Sequence, residues 1–121
     1  MNIEELREYC LGKPFTEDTF PFDESTLVMK VMGKMFLLVD IYEKPVAFNV
    51  KCDPEKAIAL REQYSFVIPG FHMSKTHWNT VICESGLSKK LIKEWIDHSY
   101  EMVVKGLPAK EREKVLKKVR S

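Results

Sequence analysis

At 121 residues, 45% hydrophobic and 31% charged, with five Gly and six Pro, the chain has the size and composition of one globular domain, which excludes a disordered or fibrous class. No apolar run approaches the roughly 20 residues that span a bilayer, and the acidic, amphipathic start Met1-Asn2-Ile3-Glu4-Glu5-Leu6 lacks the basic and apolar regions of a secretory signal, so the expected address is cytoplasmic, with no membrane partner. The net charge of +1 hides an asymmetry: residues 1–60 hold 7 Lys/Arg against 11 Asp/Glu, residues 61–104 are balanced at 5 against 5, and residues 105–121 carry 7 Lys/Arg against 2 Glu. So neutral a domain lacks the overall basic footprint of an avid non-specific nucleic-acid binder, although its basic tail can attract phosphate.

In chain order, residues 2–11 read as a helix with Asn2 as N-cap, Glu5 completing a capping box, and Ile3, Leu6 and Cys10 along one stripe; Gly12 and Pro14 end it. Residues 13–25, with Phe15, Phe20 and Phe22 beside Pro14 and Pro21, are too aromatic for a solvated linker and read as a packed loop across the core's edge. Three β-type runs follow, Leu27 to Met32, Met35 to Ile41 and Val46 to Cys52, whose short connections make them antiparallel neighbours. Lys30, Asn49 and Lys51 alternate with apolar residues, which predicts one wet sheet face. Asp53-Pro54-Glu55 combines a cap, a preset φ and a favourable dipole charge to start a second helix running to about Tyr64. Residues 66–72 and 77–84 read as two further strands turning near Met73 to Thr76. Ser88 caps a long helix to Lys105, on which Leu91, Ile92, Trp95, Ile96, Ser99, Met102 and Val103 recur near 3.6 residues, and Gly106 and Pro108 separate it from a basic terminal helix over 108–120. The order α-βββ-α-ββ-α-α describes an α+β domain over 1–121: two layers, with a mostly antiparallel five-stranded sheet covered on one face by helices.

Five segments in this order carry a family resemblance: Phe20-Pro-Phe-Asp-Glu24, Gly33-Lys34-Met35-Phe36, Lys51-Cys-Asp-Pro-Glu55, Pro69-Gly-Phe-His-Met-Ser-Lys-Thr-His-Trp-Asn79 and Ser99-Tyr100, with Leu107-Pro108 after them. Over essentially the whole chain they resemble the MmcQ/YjbR family of small bacterial proteins. That resemblance implies a two-layer fold compared with the frataxin homologue CyaY, and a DNA-binding label resting on a "double wing" of two hairpins. Fold analogy alone is a weak warrant for function.

The residues give the double wing physical content, because each hairpin predicted here carries a cation at its tip: Lys34 after Gly33, and Lys75 between Ser74 and Thr76. Both can contact phosphates across a groove, with Thr76, His77 and Asn79 adding hydrogen bonds and Trp78 a surface for base stacking. The plainer alternative is that tip lysines solvate turns and discourage edge pairing, and that Trp78 is a core residue. Lys110, Lys114, Lys117 and Lys118 form a secondary basic surface on the terminal helix, or simply its solvated face.

Against these stand a protein-interaction module using the wet face or the aromatic loop, and an anion or small-ligand site around His72, Lys75 and His77. Cys10, Cys52 and Cys83 are an odd, scattered set without a CxxC pair, expected as reduced core residues. No metal-ligand spacing, nucleophile elbow or Gly-rich phosphate loop is present, so no metal, cofactor or enzymatic activity is expected.

Overall fold

The computed structural model describes residues 1–71, 73–84 and 86–120. Asn2 caps α1 (Ile3–Leu11) through a complete capping box with Glu5. After Gly12 the Thr16 hydroxyl donates to the Cys10 and Lys13 carbonyls at 3.1 and 2.8 Å, bonding two backbone oxygens at the end of the helix. Four strands follow: β1 (Thr16–Thr19), β2 (Thr26–Val31), β3 (Lys34–Asp40) and β4 (Ala47–Lys51); then α2 (Pro54–Gln63), β5 (Val67–Pro69), β6 (Trp78–Ile82), α3 (Lys89–Lys105) and α4 (Ala109–Arg120).

The sheet has six strands in the order β1-β2-β3-β4-β6-β5, and every neighbouring pair is antiparallel. This corrects the five-stranded expectation. The extra strand is Thr-Glu-Asp-Thr, inside the segment read as a packed loop. As an edge strand with four polar residues it has no apolar alternation to announce it; its pairing with β2 and the Arg7–Asp18 ion pair at 2.6 Å hold it. The aromatic residues around it are also more exposed than expected, since Phe15, Phe20 and Phe22 all reach solvent.

One sheet face is packed by helices. Leu27, Met29 and Val31 of β2, Leu37 and Val39 of β3, Phe48 and Val50 of β4, and Val81 of β6 meet Ile92, Trp95, Ile96, Tyr100 and Val103 of α3 in one core. The 3.6-residue spacing of those α3 positions makes the stripe continuous along the helix. α4 joins the same core through Val115, beside α3. Pairing in β2 and β3 shifts at Met29/Lys30. There Phe36 turns into the helix-side core, and its ring meets Tyr100 edge-on at 5.5 Å.

The other face carries a smaller apolar cluster, Val28, Leu38 and Trp78, with Met35 and Met73 against it. The face expected to be wet is therefore partly dry. Cys10 and Cys52 are buried and Cys83 is half-buried, all as free thiols. Burial pushes the Cys10 thiol up to about 12 and that of Cys52 up to about 11, and it raises Cys83 as well. Among the described residues no helix is long and apolar enough to cross a membrane, and no three His, Cys, Asp or Glu side chains converge as a metal-holding group.

Candidate nucleic-acid interface

Lys34 follows a two-residue turn in which Met32 and Gly33 both have positive φ, +50° and +79°, the type I′ geometry that matches the twist of two antiparallel strands. The turn leaves Lys34 exposed as the first residue of β3, paired with Val31.

The second hairpin is built differently from a simple wing. Between β5 and β6, Phe71 and Met73 lie over the open sheet face: the Phe71 amide donates to the Thr80 hydroxyl at 3.0 Å, and Met73 packs on the Trp78 cluster. Gly70 permits this approach. Its amide donates to the Trp78 carbonyl at 2.8 Å, and a Cβ there would stand 2.8 Å from the Trp78 Cβ and 2.9 Å from that carbonyl oxygen. Arg61 of α2 pins the loop from the other side: its Nε donates to Asn79 Oδ1 at 2.7 Å, and its guanidinium also bonds the carbonyls of Trp78 and Lys75.

Lys34, Lys75, Thr76 and His77 are exposed. Trp78 and Asn79, expected beside them as nucleic-acid contacts, are buried at 8% and 1% exposure. Adjacent strand residues point to opposite faces: Trp78 enters the open-face cluster, while Asn79 turns inward, accepts from Arg61 and donates through Nδ2 to the Ala57 carbonyl at 3.3 Å. Neither offers a free edge to a base. His72 lies outside the described residues. Of the other two residues of the expected anion site, Lys75 donates through Nζ to the Gly70 carbonyl at 3.2 Å, and the His77 carbonyl accepts from the Cys52 amide at 2.8 Å.

Strand register brings the two tips to one end of the sheet. Val31 pairs with Lys34, Leu37 with Val50, and Lys51 with Trp78, so the start of β3, the end of β4 and the start of β6 share an edge. β3 and β6 are two strand spacings apart, roughly 10 Å. Lys30 and Lys51 join the basic end because their partners Met35 and Trp78 mark the open face. Sequence alternation placed both lysines on a polar face but not beside the tips.

At the opposite end Asp23, Asp40 and Glu43 line a cleft of about 400 Å³ into which Phe22 and Phe71 also reach. Asp23 accepts from the Ser25 and Thr26 amides at 2.9 and 2.6 Å, bonds that hold its carboxyl below the usual range. Lys110, Lys114, Lys117 and Lys118 are exposed on α4, which packs within the helical layer. The structure therefore leaves that basic surface on a different layer from the open face.

The YjbR family model matches residues 11–102. The chain belongs to the YjbR family. YjbR of Escherichia coli (strain K12), described as uncharacterized, is 37% identical over 112 residues covering 93% of this chain and 95% of its own. YbdF of Escherichia coli O157:H7, likewise described as uncharacterized, is 32% identical over 112 residues, covering 93% and 92%. The crystal structure of Deinococcus radiodurans protein DR2400 superposes with a TM-score of 0.88 at 35% identity, over 94% of this chain and 87% of that one. A Pseudomonas syringae protein shares the fold at a TM-score of 0.72 and 24% identity, over 84% of this chain and 98% of its own. The YjbR match ends within α3, so α4 and its lysines lie beyond it.

Proposed function

We propose that this YjbR-family chain is a non-enzymatic, cytoplasmic DNA-binding protein that contacts the phosphate backbone with the basic end of its sheet. The observation that carries the reading is that Lys34 and the loop before β6 lie at one end of the sheet, with Lys51 on the strand between them and Lys30 on the strand beyond Lys34, both on the open face near that end. The strands that lead from the two tips, about 10 Å apart, are spaced on the scale of the DNA grooves, roughly 6 and 12 Å wide. Thr76 and His77 add exposed hydrogen-bonding groups beside Lys75, while buried Trp78 and Asn79 stiffen the loop's base. Such contacts position a protein on DNA without reading sequence. Burial raises the pKa of all three thiols, which argues against a cysteine nucleophile, since the thiolate is the reactive form.

The test is fluorescence-anisotropy titration of duplex DNA across a salt series, with wild type and the Lys34→Ala/Lys75→Ala double variant. Losing two phosphate contacts should weaken binding and flatten the slope of log K against log salt by about 2. No binding at low salt, or an unchanged slope in the double variant, removes the reading.

A second reading, a protein-interaction module, is favoured by the cleft at the opposite end, where Phe22 and Phe71 are 64% and 63% exposed. It would depend on those rings and not on the lysine tips.

A further inference from the structure

A deep cleft lies away from the sheet's open face, where α3 and α4 meet the chain that leaves α1. This cleft, about 760 Å³, falls within the roughly 300–1,000 Å³ of small-molecule sites, which combine an apolar lining with a few placed polar groups. Its apolar lining includes Val104, Val115, Leu116 and Val119. Val119 is 57% exposed, a large apolar side chain that the helical layer leaves uncovered.

Four cations, Lys13, Lys105, Arg112 and Lys118, line the cleft against two carboxylates, Asp97 and Glu101. Asp97 is already engaged: its Oδ1 accepts from Lys13 at 2.5 Å and from the Tyr9 hydroxyl at 2.6 Å. Lys13 also lies over the Tyr9 and Tyr100 rings at 5.0 and 5.1 Å, a cation–π geometry that holds it in place. Arg112 uses one terminal nitrogen on the Leu107 carbonyl at 3.3 Å. Among the described residues its Nε and other terminal nitrogen have no hydrogen-bond partner, and Lys105 has no ion pair. A guanidinium with a free edge beside apolar surface matches a carboxylate, which it can grip with two parallel bonds.

We infer that the α3–α4 cleft binds a free amphipathic carboxylate, its alkyl body on Val104, Leu116 and Val119 and its head group at Arg112 and Lys105. This site is separate from the lysine tips, so it stands or falls independently of DNA binding.

The experiment is calorimetric titration of the full chain with dodecanoate below its micelle concentration and with dodecyltrimethylammonium, which has the same chain length and opposite charge. Amide chemical-shift mapping locates the bound molecule. Dodecanoate should bind at least tenfold more tightly than the cationic amphiphile, with shifts concentrated in α3 and α4. Lys105→Glu/Arg112→Glu and, separately, the surface variant Val119→Asp should each weaken it tenfold or more, whereas Lys34→Ala/Lys75→Ala should leave it unchanged. Equal binding of the two amphiphiles, shifts that map elsewhere, or indifference to both cleft variants would overturn the inference. So would binding to vesicles of phosphatidylcholine and phosphatidylglycerol without binding to monomeric dodecanoate, because the attraction would then be to a lipid surface.

Discussion

The Ser99 hydroxyl makes two bonds inside the core, donating to the Phe36 carbonyl at 2.6 Å and accepting from the Lys51 amide at 2.8 Å. Both backbone groups lie where the β3 and β4 ladder gives out, beyond the Leu37–Val50 pair. Without the hydroxyl they would be left inside the protein with no partner. A buried unpaired polar group costs about 1–3 kcal/mol, so Ser99→Ala should lower stability by about that amount, read as a fall in urea midpoint at unchanged slope. In the sequence Ser99 appears as a small residue on an apolar stripe and as part of the Ser99-Tyr100 family segment. Nothing local says that its partners sit 63 and 48 residues away.

At the scale of elements, α2 matters less for what it buries than for where it holds Arg61. Only Ala57 of this helix is buried, and Ile58 is exposed. The guanidinium reaches Asn79, Trp78 and Lys75, joining α2 to the start of β6 and to the second tip. Arg61→Lys should fail to rescue this arrangement, because a single ammonium does not reproduce a planar fork of donors. Both Arg61→Lys and Arg61→Ala should speed hydrogen exchange across residues 70–77, with a loss of about 2 kcal/mol for alanine, in the range for bonds to charged groups. Equal exchange in wild type and lysine variant would show that the loop is held by Gly70 and Met73 alone. The first tip needs no such tether, since a type I′ turn fixes its geometry locally.

Across the whole molecule, His98 of α3 accepts the Asp53 amide on Nε2 at 3.1 Å, tying the helical layer to the connection between β4 and α2. Accepting requires the neutral ring. Burial lowers its pKa from the ordinary value of 6.5; Lys56 and Lys105 lower it further, and Glu101 and Asp53 oppose them. A depressed folded-state pKa means that the unfolded chain binds the proton more readily. The contribution of neutral His98 to stability is therefore full above about pH 6.5 and is lost as pH falls toward the folded-state value. Thermal melts from pH 7.5 to 5 should show a decline that His98→Gln reduces; an identical pH profile in that variant would remove His98 as its source.

Much of the architecture was legible locally. Asn2, Asp53 and Ser88 mark helix starts through their own side chains, Gly33 marks a turn through positive φ, and the α3 stripe marks a core face through its period; all are short-range effects. The family, too, could be recognised from the linear order of its segments. Tertiary structure alone decided the sixth strand, because an edge strand of polar residues is held by its partner and not by its own apolar pattern. It also decided that Trp78 and Asn79 turn away from solvent while Thr76 and His77 remain exposed, since burial depends on what β4, α2 and Met73 place against each residue. The meeting of Lys34, Lys51 and Lys75 at one end of the sheet likewise follows from register between strands distant in sequence, and register is a property of the assembled ladder that no single segment contains.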